Sequence, residues 1–180
     1  MIGYPLLKLR IAAAHLLFPI ASQNIDIAAL GYPKTGNTWF SMQLRKLLIG
    51  HYGLDDDRLK NIIPESIREL LTHRNSVVPT IFVTHNAPYF HKEHANQMKL
   101  NHKPFEGKKV IILIREPKDT LVSLFMHGRH REEWYKKDIS QFVFDSTYGI
   151  EKYVQYYKQI ARDLPLFESY LVVRYEDFHE

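Results

Sequence analysis

Between Gly31 and Trp39 the chain reads Gly-Tyr-Pro-Lys-Thr-Gly-Asn-Thr-Trp, a glycine-bounded loop running into residues that can start a helix. Before it, Ile25 to Leu30 form a short apolar run ending in Gly31 and Pro33, the pattern of a buried strand feeding a loop. A strand, a tight glycine loop and a helix N-terminus make an anion cradle. Backbone N–H groups point inward and the helix dipole adds partial positive charge. The spacing Gly31-x4-Gly36 is that of a phosphate-binding P-loop, with Thr38 where its Ser/Thr stands. A nucleoside triphosphatase needs lysine after the second glycine to reach the β- and γ-phosphates. Here that place is Asn37, and the lysine lies inside the loop as Lys34. The cradle is kept, but its ion geometry departs from an ATP or GTP site. The plain alternative is a glycine turn between strand and helix, with Trp39 in the core.

Two further sets of residues fall directly after strand-like runs. Lys109 to Ile114 is the clearest strand, and Arg115 ends it; Pro117 then opens a helix that carries Ser123. An arginine fork at a strand end and a hydroxyl on the next helix can hold a phosphate from two sides. Asp119 suits the helix start as a dipole or capping residue. An arginine salt-bridged at a helix start is the structural alternative. His85 follows the strand candidate Thr80–Thr84, and histidine has the proton affinity to deprotonate a hydroxyl near neutral pH. Position at a strand end favours this over a structural role among the chain's ten histidines. Tyr175, Glu176 and Asp177 follow a last strand, Tyr170–Val173. Arg129, His130 and Arg131 read as a solvated helix end, with a substrate-facing basic lip as the sharper alternative.

These residues need a scaffold that brings strand ends together. Phe40, Leu44, Leu47 and Leu48 give one apolar face to a helix starting at about Asn37, and Asp55 begins a polar connection. Pro64 opens a helical stretch to about His73. Ile150, Tyr153, Val154, Tyr157, Ile160, Ala161 and Leu164 mark another amphipathic helix. Strands alternating with helices predict an α/β fold, a three-layer sandwich around a parallel sheet. Ligands of such sheets bind beyond the carboxyl ends of the strands, where all these polar sets fall. Residues 1–24 form a separate element, an amphipathic helix whose apolar positions run from Leu6 to Ile20. It packs on the domain, or else serves as a signal peptide or a membrane-surface helix.

Composition narrows the classes. Lys8, Arg10, His15 and Pro19 interrupt the most apolar stretch, so no full membrane span is expected. A cytoplasmic location is the expectation, with the N-terminal helix leaving membrane association open. The net charge of +4 suits an anionic small molecule and is too small to argue for nucleic acid. Zero cysteines exclude a disulfide scaffold and Cys-ligated metal, and no His, Asp or Glu set has ligand spacing, so no metal is expected.

The string Tyr32-Pro-Lys-Thr-Gly-Asn-Thr-Trp39 resembles the 5′-phosphosulfate loop of sulfotransferases that use 3′-phosphoadenosine 5′-phosphosulfate (PAPS). The resemblance implies a P-loop NTPase-like fold and PAPS as co-substrate. It implies that Lys34 contacts the transferred group and the leaving phosphate, that Thr35, Gly36, Asn37 and Thr38 bind the 5′-phosphate, and that Trp39 stacks on adenine. Arg115-Glu-Pro-Lys-Asp119 with Ser123 is similar to the family's 3′-phosphate signature, Glu116 replacing an asparagine, which makes Arg115 and Ser123 its 3′-phosphate ligands. Thr84-His85 resembles the segment carrying the family's catalytic base. Val83 stands where that segment has lysine, and its proline comes one residue late as Pro88. Tyr175-Glu-Asp177 resembles an element placing Tyr175 near adenine and Glu176 or Asp177 in structural hydrogen bonds.

The resemblance runs from about Ile25 to Phe178, within a nucleotide-binding domain of residues 25–180. A later Arg-Lys-Gly-x-x-Gly segment of the family is not in the sequence, so a C-terminally incomplete domain is expected, with binding better supported than turnover. The implied activity is sulfuryl transfer to a hydroxyl or amine on a small-molecule or carbohydrate acceptor. The alternatives are a truncated PAPS-binding module with little catalysis and a P-loop nucleotide kinase. Asn37 and the absence of an acidic Mg-binding strand end argue against the kinase.

Overall fold

The computed structural model describes residues 17–72, 78–85 and 102–179. Four strands, β1 (Ile27–Gly31), β2 (Ile81–Thr84), β3 (Lys109–Ile114) and β4 (Ser169–Arg174), pair in parallel in the order β2-β1-β3-β4. Leu30 stands opposite Thr84 on one side and Ile112 on the other, so the carboxyl ends of the inner strands are level. From β1 the chain steps outward to β2; from β3 it steps the opposite way to β4. That reversal opens a crevice between the ends of β1 and β3.

Helices cover both faces. They are α1 (Asn37–Tyr52), α2 (Asp56–Ile62), α3 (Ile67–Leu71), α4 (Pro117–Met126), α5 (Ile139–Val143) and α6 (Ile150–Asp163). Side chains alternate along each strand, so neighbours feed opposite cores. Ala28, Leu30, Val110 and Ile112 pack with Leu121, Leu124 and Phe125 of α4 and with Tyr153, Tyr156 and Ile160 of α6. Ala29 and Leu113 face the other way, onto Phe40 of α1. Leu48 continues that layer with Leu59 and Ile62 of α2. The outer strand β4 is less covered, and Tyr170, Leu171 and Val172 remain largely exposed.

The α/β architecture and the parallel sheet are as the periodicity predicts, and β3, α1 and the Pro117 start of α4 fall where expected. Elsewhere local polar chemistry moved the boundaries. The expected polar connection at Asp55 is a helix start, because the Asp55 carboxylate accepts the Arg58 N–H at 2.9 Å and caps α2. The helix expected from Pro64 begins only at Ile67, where the Ser66 hydroxyl accepts the Glu69 N–H. The unforeseen α5 starts on a capping box between Asp138 and Gln141. Of the expected N-terminal amphipathic helix, residues 1–16 lie outside the described residues, as do His73 and Pro88; residues 17–21 are helical. No helix among the described residues is long and apolar enough to cross a membrane.

Candidate functional site

The loop after β1 is held from within. Thr35 is buried and its hydroxyl donates to the Tyr32 carbonyl at 2.6 Å, while its N–H bonds the same carbonyl at 3.1 Å. Asn37 is buried too; its amide nitrogen reaches the Thr84 carbonyl at 3.4 Å, tying the loop to the end of β2. Gly31 must lack a side chain, because a Cβ there would run into Asn37 and Thr35. Gly36 has φ +97°, and a Cβ there would enter the ring of Tyr175. Lys34 also has positive φ, 71°, an uncommon conformation for a residue with a side chain. The first bond of α1 runs from the Phe40 N–H to the Gly36 carbonyl at 2.8 Å. The N–H groups of Asn37, Thr38 and Trp39 come before it and lack helical acceptors. The cradle is therefore built of backbone, with the Thr35 and Asn37 side chains serving as its inner struts and Thr38 exposed.

Arg115 leaves the end of β3 and crosses the crevice. Its Nη1 donates to the Lys34 carbonyl at 3.1 Å, and its guanidinium carbon lies 4.2 Å from the centre of the Tyr175 ring. Its Nε is buried without a hydrogen-bond partner. A buried charged donor left open is costly unless a ligand meets it. Ser123 sits half-buried in the second turn of α4, its hydroxyl making no hydrogen bond among the described residues. Asp119 lies in the first turn of α4, as expected of a dipole residue. Glu116 is exposed, and its N–H donates to the Glu176 carboxylate at 2.8 Å, so the expected structural bond falls to Glu176. Trp39 meets Phe178 at 4.9 Å between ring centres and Tyr175 edge-on at 6.0 Å, forming an aromatic wall beside the cradle.

His85 follows β2 and meets the cradle. Its Nδ1 lies 2.9 Å from the Gly31 carbonyl and 3.2 Å from the Asn37 amide nitrogen. A carbonyl only accepts, so the shorter contact, to Gly31, assigns the proton to Nδ1 and the lone pair to Nε2; the Asn37 amide nitrogen, itself a donor, then makes no bond to Nδ1 and is turned to the Thr84 carbonyl. Burial pushes the His85 pKa below the usual histidine value; the Gly31 carbonyl pulls it back up, and the Lys34 charge adds to the lowering. Lys34 is lowered as well, first by burial and then by the charges of Arg131 and Arg115. Its ammonium has no hydrogen bond or ion pair among the described residues.

Three tyrosines of α6 complete the site from below, and their hydroxyls were not part of the sequence reading. Tyr156 donates to the His85 carbonyl at 2.9 Å, Tyr153 to the Arg115 carbonyl at 2.7 Å and Tyr157 to the Leu113 carbonyl at 2.7 Å. One helix face thus pins the backbone at the ends of β2 and β3. Burial raises the pKa of all three, which keeps them as donors. The signal was available: hydroxyls on an otherwise apolar stripe need partners. The basic cluster divides. Arg129 donates to the carbonyls of Lys136 and Lys137, while Arg131 acts on Lys34. Among the described residues no three His, Asp or Glu side chains stand together as a metal group.

The sequence candidates other than Ser123 thus gather at one sheet edge: the β1 loop, His85 and Arg115 through direct contacts, and Tyr175 and Trp39 against the loop, while Ser123 lies half-buried on α4 without a hydrogen bond to them among the described residues. No curated protein and no solved structure matches the chain. The family model of the sulfotransferase domain matches residues 24–180, which include both ends of this crevice and every residue described around it. The chain belongs to the sulfotransferase family.

Proposed function

We propose that the chain moves a sulfuryl group from PAPS to the oxygen or nitrogen of a hydroxyl or amine acceptor. The observation that carries this is the junction of two strand ends. Arg115 bridges to the Lys34 carbonyl with its Nε still open, and His85 is fixed beside the same loop with Nε2 unprotonated. A donor with a phosphosulfate at one end and a 3′-phosphate at the other matches two anion sites joined by one arginine.

On this reading the N–H groups at the start of α1 hold the 5′-phosphate, and Arg115, with Ser123, holds the 3′-phosphate. Tyr175 and Trp39 offer aromatic surface to the adenine. His85 Nε2 takes the proton of the accepting hydroxyl or amine as its oxygen or nitrogen bonds to sulfur. The bond from sulfur to the 5′-phosphate oxygen breaks, and the Lys34 ammonium stabilises the charge left there. The products are the sulfated acceptor and adenosine 3′,5′-bisphosphate. The protein mainly positions reactants and compensates charge, as in phosphoryl transfer. The lowered His85 pKa keeps the base form at neutral pH. The test is transfer from radiolabelled PAPS to a panel of phenols, alcohols, sugars and amines. Label on at least one acceptor class is expected. No transfer to any class, or phosphoryl transfer from ATP instead, overturns the reading.

A further inference from the structure

His85 and Arg115 each stand one residue beyond the ladder that orders the rest of the sheet. The last paired residue of β2 is Thr84, opposite Leu30, and the last of β3 is Ile114, opposite Arg174. The Ile114 carbonyl is still held by a backbone donor, the Tyr175 N–H at 2.8 Å. The next carbonyls, those of His85 and Arg115, receive no backbone N–H among the described residues. Each accepts a tyrosine hydroxyl of α6 instead, from Tyr156 at 2.9 Å and from Tyr153 at 2.7 Å. Tyr157 differs, because it serves Leu113, a residue inside the ladder and opposite both Gly31 and Val173.

The two donors are firm points. Tyr153 and Tyr156 are three apart on α6, so they share a face, and both are buried. The Tyr32 ring meets both edge-on, with centres 5.3 Å from Tyr153 and 5.5 Å from Tyr156. The Tyr32 carbonyl in turn holds the hydroxyl and N–H of Thr35 in the cradle. Rings packed this closely cannot shift without displacing their neighbours. His85 is thereby fixed at two points, its main chain by Tyr156 and its Nδ1 by the Gly31 carbonyl, which leaves Nε2 one position. Arg115 is fixed in the same way, its main chain by Tyr153 and its Nη1 by the Lys34 carbonyl. Small displacements of a reacting or binding group are costly, so residues that hold its main chain act on function without touching substrate.

We propose that Tyr156 and Tyr153 are positioning residues with separate tasks: Tyr156 sets the base His85, and Tyr153 sets Arg115 for the donor's 3′-phosphate. The inference rests on the sulfuryl-transfer reading, and the experiment separates the two. Tyr156→Phe and Tyr153→Phe keep the rings and each remove one hydroxyl, so a merely structural role would affect both variants alike. Calorimetry with adenosine 3′,5′-bisphosphate is expected to show Tyr153→Phe binding about threefold to tenfold more weakly, the scale of one hydrogen bond, and Tyr156→Phe within about twofold of the unsubstituted chain. Transfer from labelled PAPS is expected to show kcat about threefold to tenfold lower in Tyr156→Phe, with KM for PAPS unchanged. In a His85→Ala background the same substitution lowers the residual rate no further, because its effect runs through the base. An unsubstituted chain that loads no bisphosphate or transfers no label overturns the sulfuryl-transfer reading, and this one with it. Where loading and transfer are both seen, three results overturn the positioning roles alone. They are full kcat in Tyr156→Phe, an equal further loss in the His85→Ala background, and bisphosphate binding that is unweakened in Tyr153→Phe or weakened alike in both variants.

Discussion

The Gly31 carbonyl decides which nitrogen of His85 holds the proton, and so leaves the lone pair on Nε2. His85→Ala should leave adenosine 3′,5′-bisphosphate binding nearly intact while lowering kcat by about 10²- to 10⁴-fold, the usual share of a general base. Full turnover in that variant would remove His85 from the mechanism. Because the His85 pKa lies below its ordinary 6.5, the acid limb of kcat/KM should fall below pH 6.5. Arg115→Ala should weaken the bisphosphate by about 1.5–3 kcal/mol, since its fork is charged and partly open. Gly36→Ala tests the cradle: positive φ and the Tyr175 ring leave no room, so it should cost more than about 1 kcal/mol of stability and weaken the bisphosphate. Unchanged denaturation and binding in Gly36→Ala would show that the loop is not held as described. At this scale much was legible: Lys34, Gly36 and Arg115, which the fold brings together, are marked by type and spacing along the chain. The inward turn of Asn37 was not, since it depends on the β2 carbonyl of Thr84, 47 residues away.

Among the elements, α6 shows what a hydrophobic pattern conceals. Its period predicts the helix, but the buried face turns to take in Tyr156 and leaves Val154 and Ala161 exposed, and that face also carries the hydroxyls that hold three strand-end carbonyls. Tyr156→Phe keeps the packing and removes the donor to the His85 carbonyl, so it should cost about 0.5–1.5 kcal/mol in urea denaturation. A variant as stable as the parent would mean that the carbonyl is satisfied another way. Short helices escaped the reading for a different reason. α2 and α5 have seven and five residues, too few to show a period, and are announced only by the caps at Asp55 and Asp138. Likewise, Arg129 and Arg131 look alike in sequence. Only the π-turn, which periodicity does not reveal, sends Arg129 to the Lys136 and Lys137 carbonyls and leaves Arg131 exposed.

Over the whole molecule, the strand order β2-β1-β3-β4 sets the site's location, because successive strands are added on opposite sides of the β1–β3 pair. Alternation of strands and helices announced the parallel sheet, while the order itself depends on contacts distant in sequence. Titration couples this architecture to pH. Burial opposes ionisation of Asp163, but hydrogen bonds from Gln159 and His102 hold its carboxyl below the ordinary 3.8. Burial likewise opposes Glu176, and the N–H groups of Glu116 and Glu176 with the Arg174 and Arg115 charges hold it below 4.5. Their stabilisation is present above those ordinary values and is lost as pH falls through the lower folded ones. His85 acts in the same direction: below 6.5 the unfolded chain takes up a proton that the folded site resists, so stability falls on acidification. Denaturation midpoints should therefore decline from pH 7 through the acid range, and Asp163→Asn should flatten the part below about pH 4, where that carboxyl takes up its proton; a midpoint constant with pH contradicts these assignments. The central claim, a crevice built for a nucleotide with phosphates at both ends, is tested most directly by thermal denaturation with adenosine 3′,5′-bisphosphate against ATP with magnesium. At a hundredfold excess over its dissociation constant the bisphosphate should stabilise the fold by about 2.7 kcal/mol, and ATP at the same concentration by much less. An equal shift for both nucleotides, or a larger one for ATP, would contradict the account.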